Sequence, residues 1–184
     1  MNLPNKLTVL RILLVPVFVV FYAADWDLAA LIVFAAASLT DTLDGHIARS
    51  RGLITTFGKL MDPLADKILV MAAMLCFVDT GVCPAWVVIV ILAREFLVTS
   101  LRLVAAGEGL VIAADVWGKL KTVAQMLWIV CGLLYQALAN AGQLLTANVV
   151  WRLSLGLMWI AAGLALLSGI NYCVKNRSVF LRDL

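Results

Sequence analysis

Asp41-Thr42-Leu43-Asp44-Gly45-His46-Ile47-Ala48-Arg49, followed after eight residues by Gly58-Lys59-Leu60-Met61-Asp62-Pro63-Leu64-Ala65-Asp66, is the stretch that decides the fold. Apolar runs lie before and after it, so its charges mark the ends of two helices joined by a short connection. Asp41 and Asp44 are three residues apart and Asp62 and Asp66 four apart, spacings that set each pair on one helix face. Two antiparallel helices with a short loop between them can bring the pairs together. Asp62 before Pro63 reads as an N-cap followed by proline at the first helical position, which fixes that carboxylate at a helix start.

Outward from this stretch, six mostly apolar segments approach the roughly 20 residues that a membrane-crossing helix needs. They cover about residues 7–24, 28–49, 62–78, 85–106, 118–141 and 149–174, the third being short unless residues before Asp62 continue it. The chain has 184 residues, of which 64% are hydrophobic and 14% charged, a composition outside that of a soluble domain. No linker or repeat divides it, so residues 1–184 read as one integral-membrane domain. Arg11 interrupts the first apolar run early, which favours an uncleaved first span over a signal peptide.

Lys and Arg accumulate on the cytoplasmic side of membrane proteins. Lys6, Arg11, Arg49, Arg51, Lys59, Lys67, Arg94, Arg102, Lys119, Lys121, Lys175, Arg177 and Arg182 all fall on one side of the six segments, and Arg152 on the other. The expected fold is therefore an all-α polytopic membrane protein with six transmembrane helices and cytoplasmic N- and C-termini. Trp26, Trp86 and Trp151 fall at outer boundaries and Trp117 at an inner one, while Trp128 and Trp159 read as mid-span packing. A net charge of +3 dispersed between apolar runs speaks for topology and against a nucleic-acid partner. Cys76, Cys83, Cys131 and Cys173 lack metal or redox spacing and read as packing residues.

Ionised carboxylates are costly here. Each Asp costs about 2.5–3.5 kcal/mol at the centre of an inserted helix, and two carboxylates 4 Å apart repel by about 4 kcal/mol at an effective dielectric of 20. Bound metal is the compensation that leaves them charged. All-oxygen donors beside a phosphate favour Mg²⁺ or Mn²⁺ over Zn²⁺, and two ions could bridge Asp41, Asp44, Asp62 and Asp66. Gly45 leaves room for a ligand to approach the backbone.

The pattern D-x-x-D-G-x-x-A-R, eight residues, G-x-x-x-D-x-x-x-D resembles the signature of the CDP-alcohol phosphatidyltransferases, with every fixed position matched. The resemblance implies a metal-dependent transferase of phospholipid biosynthesis, in which an alcohol attacks the phosphate joined to diacylglycerol in CDP-diacylglycerol and releases CMP. It implies that Asp41, Asp44, Asp62 and Asp66 hold the metal and that Asp66 also takes the proton of the attacking hydroxyl. It places Gly45, Ala48, Arg49, Thr55 and Gly58 in the part of the pattern around the nucleotide and its phosphates. Pro4-Asn5-Lys6-Leu7-Thr8-Val9-Leu10-Arg11 resembles the family's opening segment, with Asn5, Thr8 and Arg11 turned to the same substrate head. A homodimer in a bacterial inner membrane, its active site facing the cytoplasm, follows from the same resemblance.

Arg94 and Arg102 lie eight residues apart inside the fourth segment, within about 80° of each other around an ideal helix, and two guanidiniums on one side suit a phosphate oxyanion. Lys119 and Lys121 start the fifth segment, pointing nearly opposite ways, so which of them meets the acceptor stays open. Together with Ala93-Arg94-Glu95-Phe96 and Trp117-Gly118-Lys119, these residues resemble the bacterial branch whose acceptor is sn-glycerol 3-phosphate, giving phosphatidylglycerophosphate. Pairing with Glu95, Glu108 and Asp115 is the competing use of the same cations. An inositol phosphate or serine acceptor is the alternative within the family, and a metal-ion or proton transporter the alternative outside it. The outer halves of the segments are apolar, which disfavours a conducting path.

Overall fold

A computed structural model of the chain describes residues 3–50, 56–107 and 115–177, with the side chains of residues 3, 4, 41–50, 56, 59 and 60 outside that description. The described residues form six α-helices and no strand: α1 (Leu3–Ala23), α2 (Asp27–Ser50), α3 (Thr56–Asp79), α4 (Ala85–Gly107), α5 (Val116–Asn140) and α6 (Leu144–Lys175). Among them α1, α5 and α6 are each long and apolar enough to cross a bilayer, yet only about a third of each apolar stretch is buried against protein. Leu13, Val20, Ile32, Leu145 and Ile170 point outward, largely uncovered. Helices apolar on both faces need hydrocarbon as solvent on the outer one, so this is a membrane protein.

Two helix ends show why the connections are short. At the end of α1, Asp25 adopts φ 58°, and Trp26 N–H reaches the Phe21 carbonyl at 2.9 Å while Asp25 N–H reaches that of Tyr22 at 3.2 Å. The Trp26 ring stacks on Phe21 at 5.6 Å, completing a Schellman-type ending with Asp in the left-handed position. Gly142, at φ 76°, ends α5 with the same pair of bonds, Gln143 N–H to Leu138 O and Gly142 N–H to Ala139 O, both 3.0 Å. That reversal lets α6 begin at Leu144, earlier than the expected 149. Trp151 and Arg152 thus lie about two turns inside α6. Its 32 residues extend about 48 Å, beyond the roughly 30 Å of hydrocarbon.

A second difference concerns α3. It begins at Thr56, so Pro63 sits inside the helix and Asp62 is not an N-cap. Pro63 removes one backbone bond, while the turn before it is tied to α1 by the hydrogen bond from Thr8 to Asp62.

Inside, α5 and α6 pack most extensively, α1 lies on α2 and α3, α2 on α5, and α4 mainly on α6. Phe18, Phe34, Phe77, Trp128, Leu133 and Met158 fill the centre, with small residues such as Ala30, Ala73 and Ala162 allowing close approach. Trp128 is buried as expected, whereas Trp159 is more than half exposed and meets Trp86 at 5.4 Å on the outer surface. Cys83 is buried, and the other three cysteines are half-buried and free. Gly132 marks the tightest crossing, because a Cβ there would stand 2.5 Å from Phe77 Cζ, a ring wedged in the core. Gly132→Ala is expected to destabilise the protein by about 1–3 kcal/mol through overpacking, read as a lowered thermal midpoint in micelles.

One end of the bundle is closed by a small network. Tyr22 OH lies 2.8 Å from Thr80 Oγ1 and accepts from Gln136 Nε2 at 2.8 Å, and Asn140 donates to Asp27. The opposite end gathers the starts of α1, α3 and α5 with the ends of α4 and α6, and it carries the polar site.

Candidate active site

The inner face of α1 reads Asn5, Thr8, Arg11, Val15, Phe18 and Tyr22, all buried at three- and four-residue spacing. Its first half is polar and its second apolar, which sets the depth of the site. Thr8 donates its hydroxyl hydrogen bond to Asp62 of α3. Arg11 is fully buried, its Nε donating to the Ala37 carbonyl of α2 at 3.3 Å, one turn before Asp41. A buried guanidinium inside a membrane helix marks a functional place by default.

Asp62 and Asp66 are half-buried and one turn apart on α3. Asp66 lines a crevice of about 60 Å³ together with Lys67, Glu95, Lys121, Met71 and Met74. Asp41, Asp44, Gly45, Ala48 and Arg49 occupy the last turns of α2, but their side chains lie outside the described residues, as does Thr55 altogether. Among the described residues no three metal-ligating side chains converge, and half of the expected quartet is not among them. What is described fits a hard cation: two carboxylates on one helix face, one already held by a hydroxyl, at a polar end of the bundle.

Helix α4 brings in the cations. Arg94 donates from Nε to Ser168 Oγ at 2.9 Å and from Nη1 to Glu95 Oε1 at 2.8 Å. Lys121, 2% exposed, reaches the same Glu95 oxygen at 2.9 Å. Arg102 donates from Nε to Tyr172 OH at 3.1 Å, with its guanidinium 5.6 Å from the ring centre. Arg94 and Arg102 share one side of α4, as their spacing predicted, and line a cleft of about 580 Å³ between α3, α4 and α5. Lys67 and Lys119 add to its wall against the carboxylates Glu95 and Asp115, leaving it net positive. Asp115 starts α5, accepting from Val116 N–H at 2.9 Å and from Asn171 of α6.

The two lysines separate cleanly. Lys119 is exposed on the cleft, whereas Lys121 is the counter-ion of Glu95 and lines the inner crevice with Asp66. The pairing anticipated for these cations holds for Arg94 and Lys121 with Glu95, Asp115 faces Lys175 at 3.7 Å, and Glu108 lies outside the described residues. Sequence reasoning missed Lys67, Ser168 and Tyr172. Ser168 and Tyr172 are four apart near the end of a largely apolar span, a spacing that signals a polar face turned to a partner helix.

The family model for CDP-alcohol phosphatidyltransferase matches residues 1–167. The chain is 42% identical over 190 residues to the CDP-diacylglycerol–glycerol-3-phosphate 3-phosphatidyltransferase of Bacillus subtilis (strain 168), covering 95% of each chain. Proteins of the same name from Rickettsia bellii and Treponema pallidum are 35% and 37% identical, over 97% and 75% of this chain and 97% and 71% of theirs. A polar bundle end with Asp62 and Asp66 on one face, a cationic cleft beside them and matches of this extent lead to one conclusion: the chain belongs to the CDP-alcohol phosphatidyltransferase family.

Proposed function

We propose that this enzyme transfers the phosphatidyl group of CDP-diacylglycerol to sn-glycerol 3-phosphate, forming phosphatidylglycerophosphate and CMP. The observation that carries the reading is the cationic cleft of Arg94, Arg102, Lys67 and Lys119 next to the Asp66 crevice, in a chain so similar to enzymes of that name. A phosphate-bearing acceptor needs such a cleft, since guanidiniums bind phosphate oxygens in pairs. Serine, with no phosphate, would leave it unmatched.

Arg94, Arg102 and Lys119 hold the acceptor phosphate and turn its primary hydroxyl toward Asp66. The hydroxyl oxygen bonds to the phosphorus that carries diacylglycerol, the bond from that phosphorus to the CMP oxygen breaks, and Asp66 takes the hydroxyl proton. Asn5, Thr8, Arg11, Gly45, Ala48, Arg49, Thr55 and Gly58 surround the nucleotide and its phosphates. Asp41, Asp44, Asp62 and Asp66 would hold two Mg²⁺ or Mn²⁺ ions, which when bound supply charge stabilisation to the attacking and leaving oxygens. Lys121 stays with Glu95 and steadies the wall between crevice and cleft.

The same proposal has the protein as a homodimer in the bacterial inner membrane, with six spans, both termini cytoplasmic and the polar end facing the cytoplasm. Purified protein is expected to release CMP from CDP-diacylglycerol only when acceptor and Mg²⁺ or Mn²⁺ are both present. CMP release unaffected by a chelator, or ion flux in vesicles without CMP release, would sink the reading.

A further inference from the structure

Arg94 is threaded through a slot made by two missing side chains. A Cβ on Gly169 of α6 would stand 3.3 Å from Arg94 Cγ, and one on Gly118 of α5 would stand 2.7 Å from Arg94 Nη2. The arginine stem therefore passes against one glycine and its guanidinium rests on the other. Nε is committed to Ser168 and Nη1 to Glu95, and no acceptor among the described residues bonds Nη2. Three of the five N–H donors therefore remain, two of them on Nη2, and both Arg94 and Gly118 line the cleft. Glycine is a poor choice for a helix interior, since alanine is intrinsically more stable there. At Gly156 and Gly163 an added Cβ would meet nothing within 4 Å, so close approach explains Gly118 and not those two.

We infer that Gly118, seconded by Gly169, is a positioning residue that sets where the Arg94 guanidinium stands and so determines how tightly the cleft holds the acceptor phosphate. The inference rests on the reading of that cleft as the acceptor site. The clash at Gly118 is with the far end of a long side chain, at the one guanidinium nitrogen that carries no bond to a neighbour among the described residues, not with backbone or packed core. A methyl group there moves the guanidinium and leaves the fold alone, unlike the crossing at Gly132.

The test is a double-mutant cycle on the full-length protein in micelles: Gly118→Ala, Arg94→Ala and both together, with Gly156→Ala as the matched helix control. Displacing one charge-assisted hydrogen bond from a phosphate corresponds to about a tenfold rise in the acceptor KM. The expected result for Gly118→Ala is that rise, with the KM for CDP-diacylglycerol unchanged and a thermal midpoint no lower than wild type. In the Arg94→Ala background the same substitution should change nothing further, and Gly156→Ala should match wild type. An unchanged acceptor KM, an effect that persists without Arg94, or a lowered midpoint would each overturn the inference. If wild type uses an acceptor other than sn-glycerol 3-phosphate, the functional reading falls, while the same cycle run on that acceptor decides the role of Gly118 by the same three results.

Discussion

Asp66→Asn is expected to lower phosphatidyl transfer by about two to four orders of magnitude while leaving the protein folded. The amide keeps the shape of the carboxylate but cannot take a proton, and it is a weaker ligand for a hard cation. Asp66 is half-buried in a crevice it shares with Val70, Met71 and Met74, and no second carboxylate of α3 lines that crevice to replace it. Asp62, one turn earlier, is engaged by Thr8. Turnover of Asp66→Asn within threefold of wild type, measured as CMP released at saturating substrates, would remove Asp66 from the role of proton acceptor.

Glu95→Ala acts on stability first. It leaves Lys121, 2% exposed, without its carboxylate, and it frees Nη1 of Arg94. Removing one partner of a fully buried ion pair costs about 3–5 kcal/mol; with the Glu95 side chain 24% exposed, the expected loss is about 2–3 kcal/mol, because the buried Lys121 charge loses its partner. For a chain of this size that corresponds to a fall in thermal midpoint on the order of 10 °C. Replacing both partners, Glu95→Leu with Lys121→Met, should avoid most of the loss, since an apolar pair of similar volume is near neutral in such a place. A midpoint unmoved by Glu95→Ala would mean that the pair does not hold α4 to α5.

Much of this architecture is written in local pattern. The fourth segment was expected at 85–106 and forms Ala85–Gly107, and the fifth at 118–141 and forms Val116–Asn140, because long apolar runs between polar flanks have few alternatives. The starts of α3 and α6 were misread for opposite reasons. Pro63 looked like a beginning, but the helix already runs from Thr56, and Asp62 is tied to α1 by Thr8. The sixth segment was expected from 149, but the left-handed Gly142 had already turned the chain, and α6 starts at Leu144. At the site, helical spacing was enough to put Asp62 with Asp66 and Arg94 with Arg102. It could not tell Lys119 from Lys121, because that depends on the rotation of α5 against α4, and Glu95 selects one of them. The four-residue spacing of Ser168 and Tyr172 marks a polar face, but that it meets Arg94 and Arg102 depends on how α4 crosses α6. The quartet of aspartates remains a statement of spacing for Asp41 and Asp44, and one of geometry for Asp62 and Asp66.

The most direct test of the central claim supplies sn-glycerol 3-phosphate, serine and an inositol phosphate one at a time to the purified enzyme with CDP-diacylglycerol and Mg²⁺ or Mn²⁺, and identifies the lipid formed by mass spectrometry. The account predicts phosphatidylglycerophosphate from the first and no product from the other two, whereas a lipid carrying serine or inositol phosphate as the preferred product would contradict it.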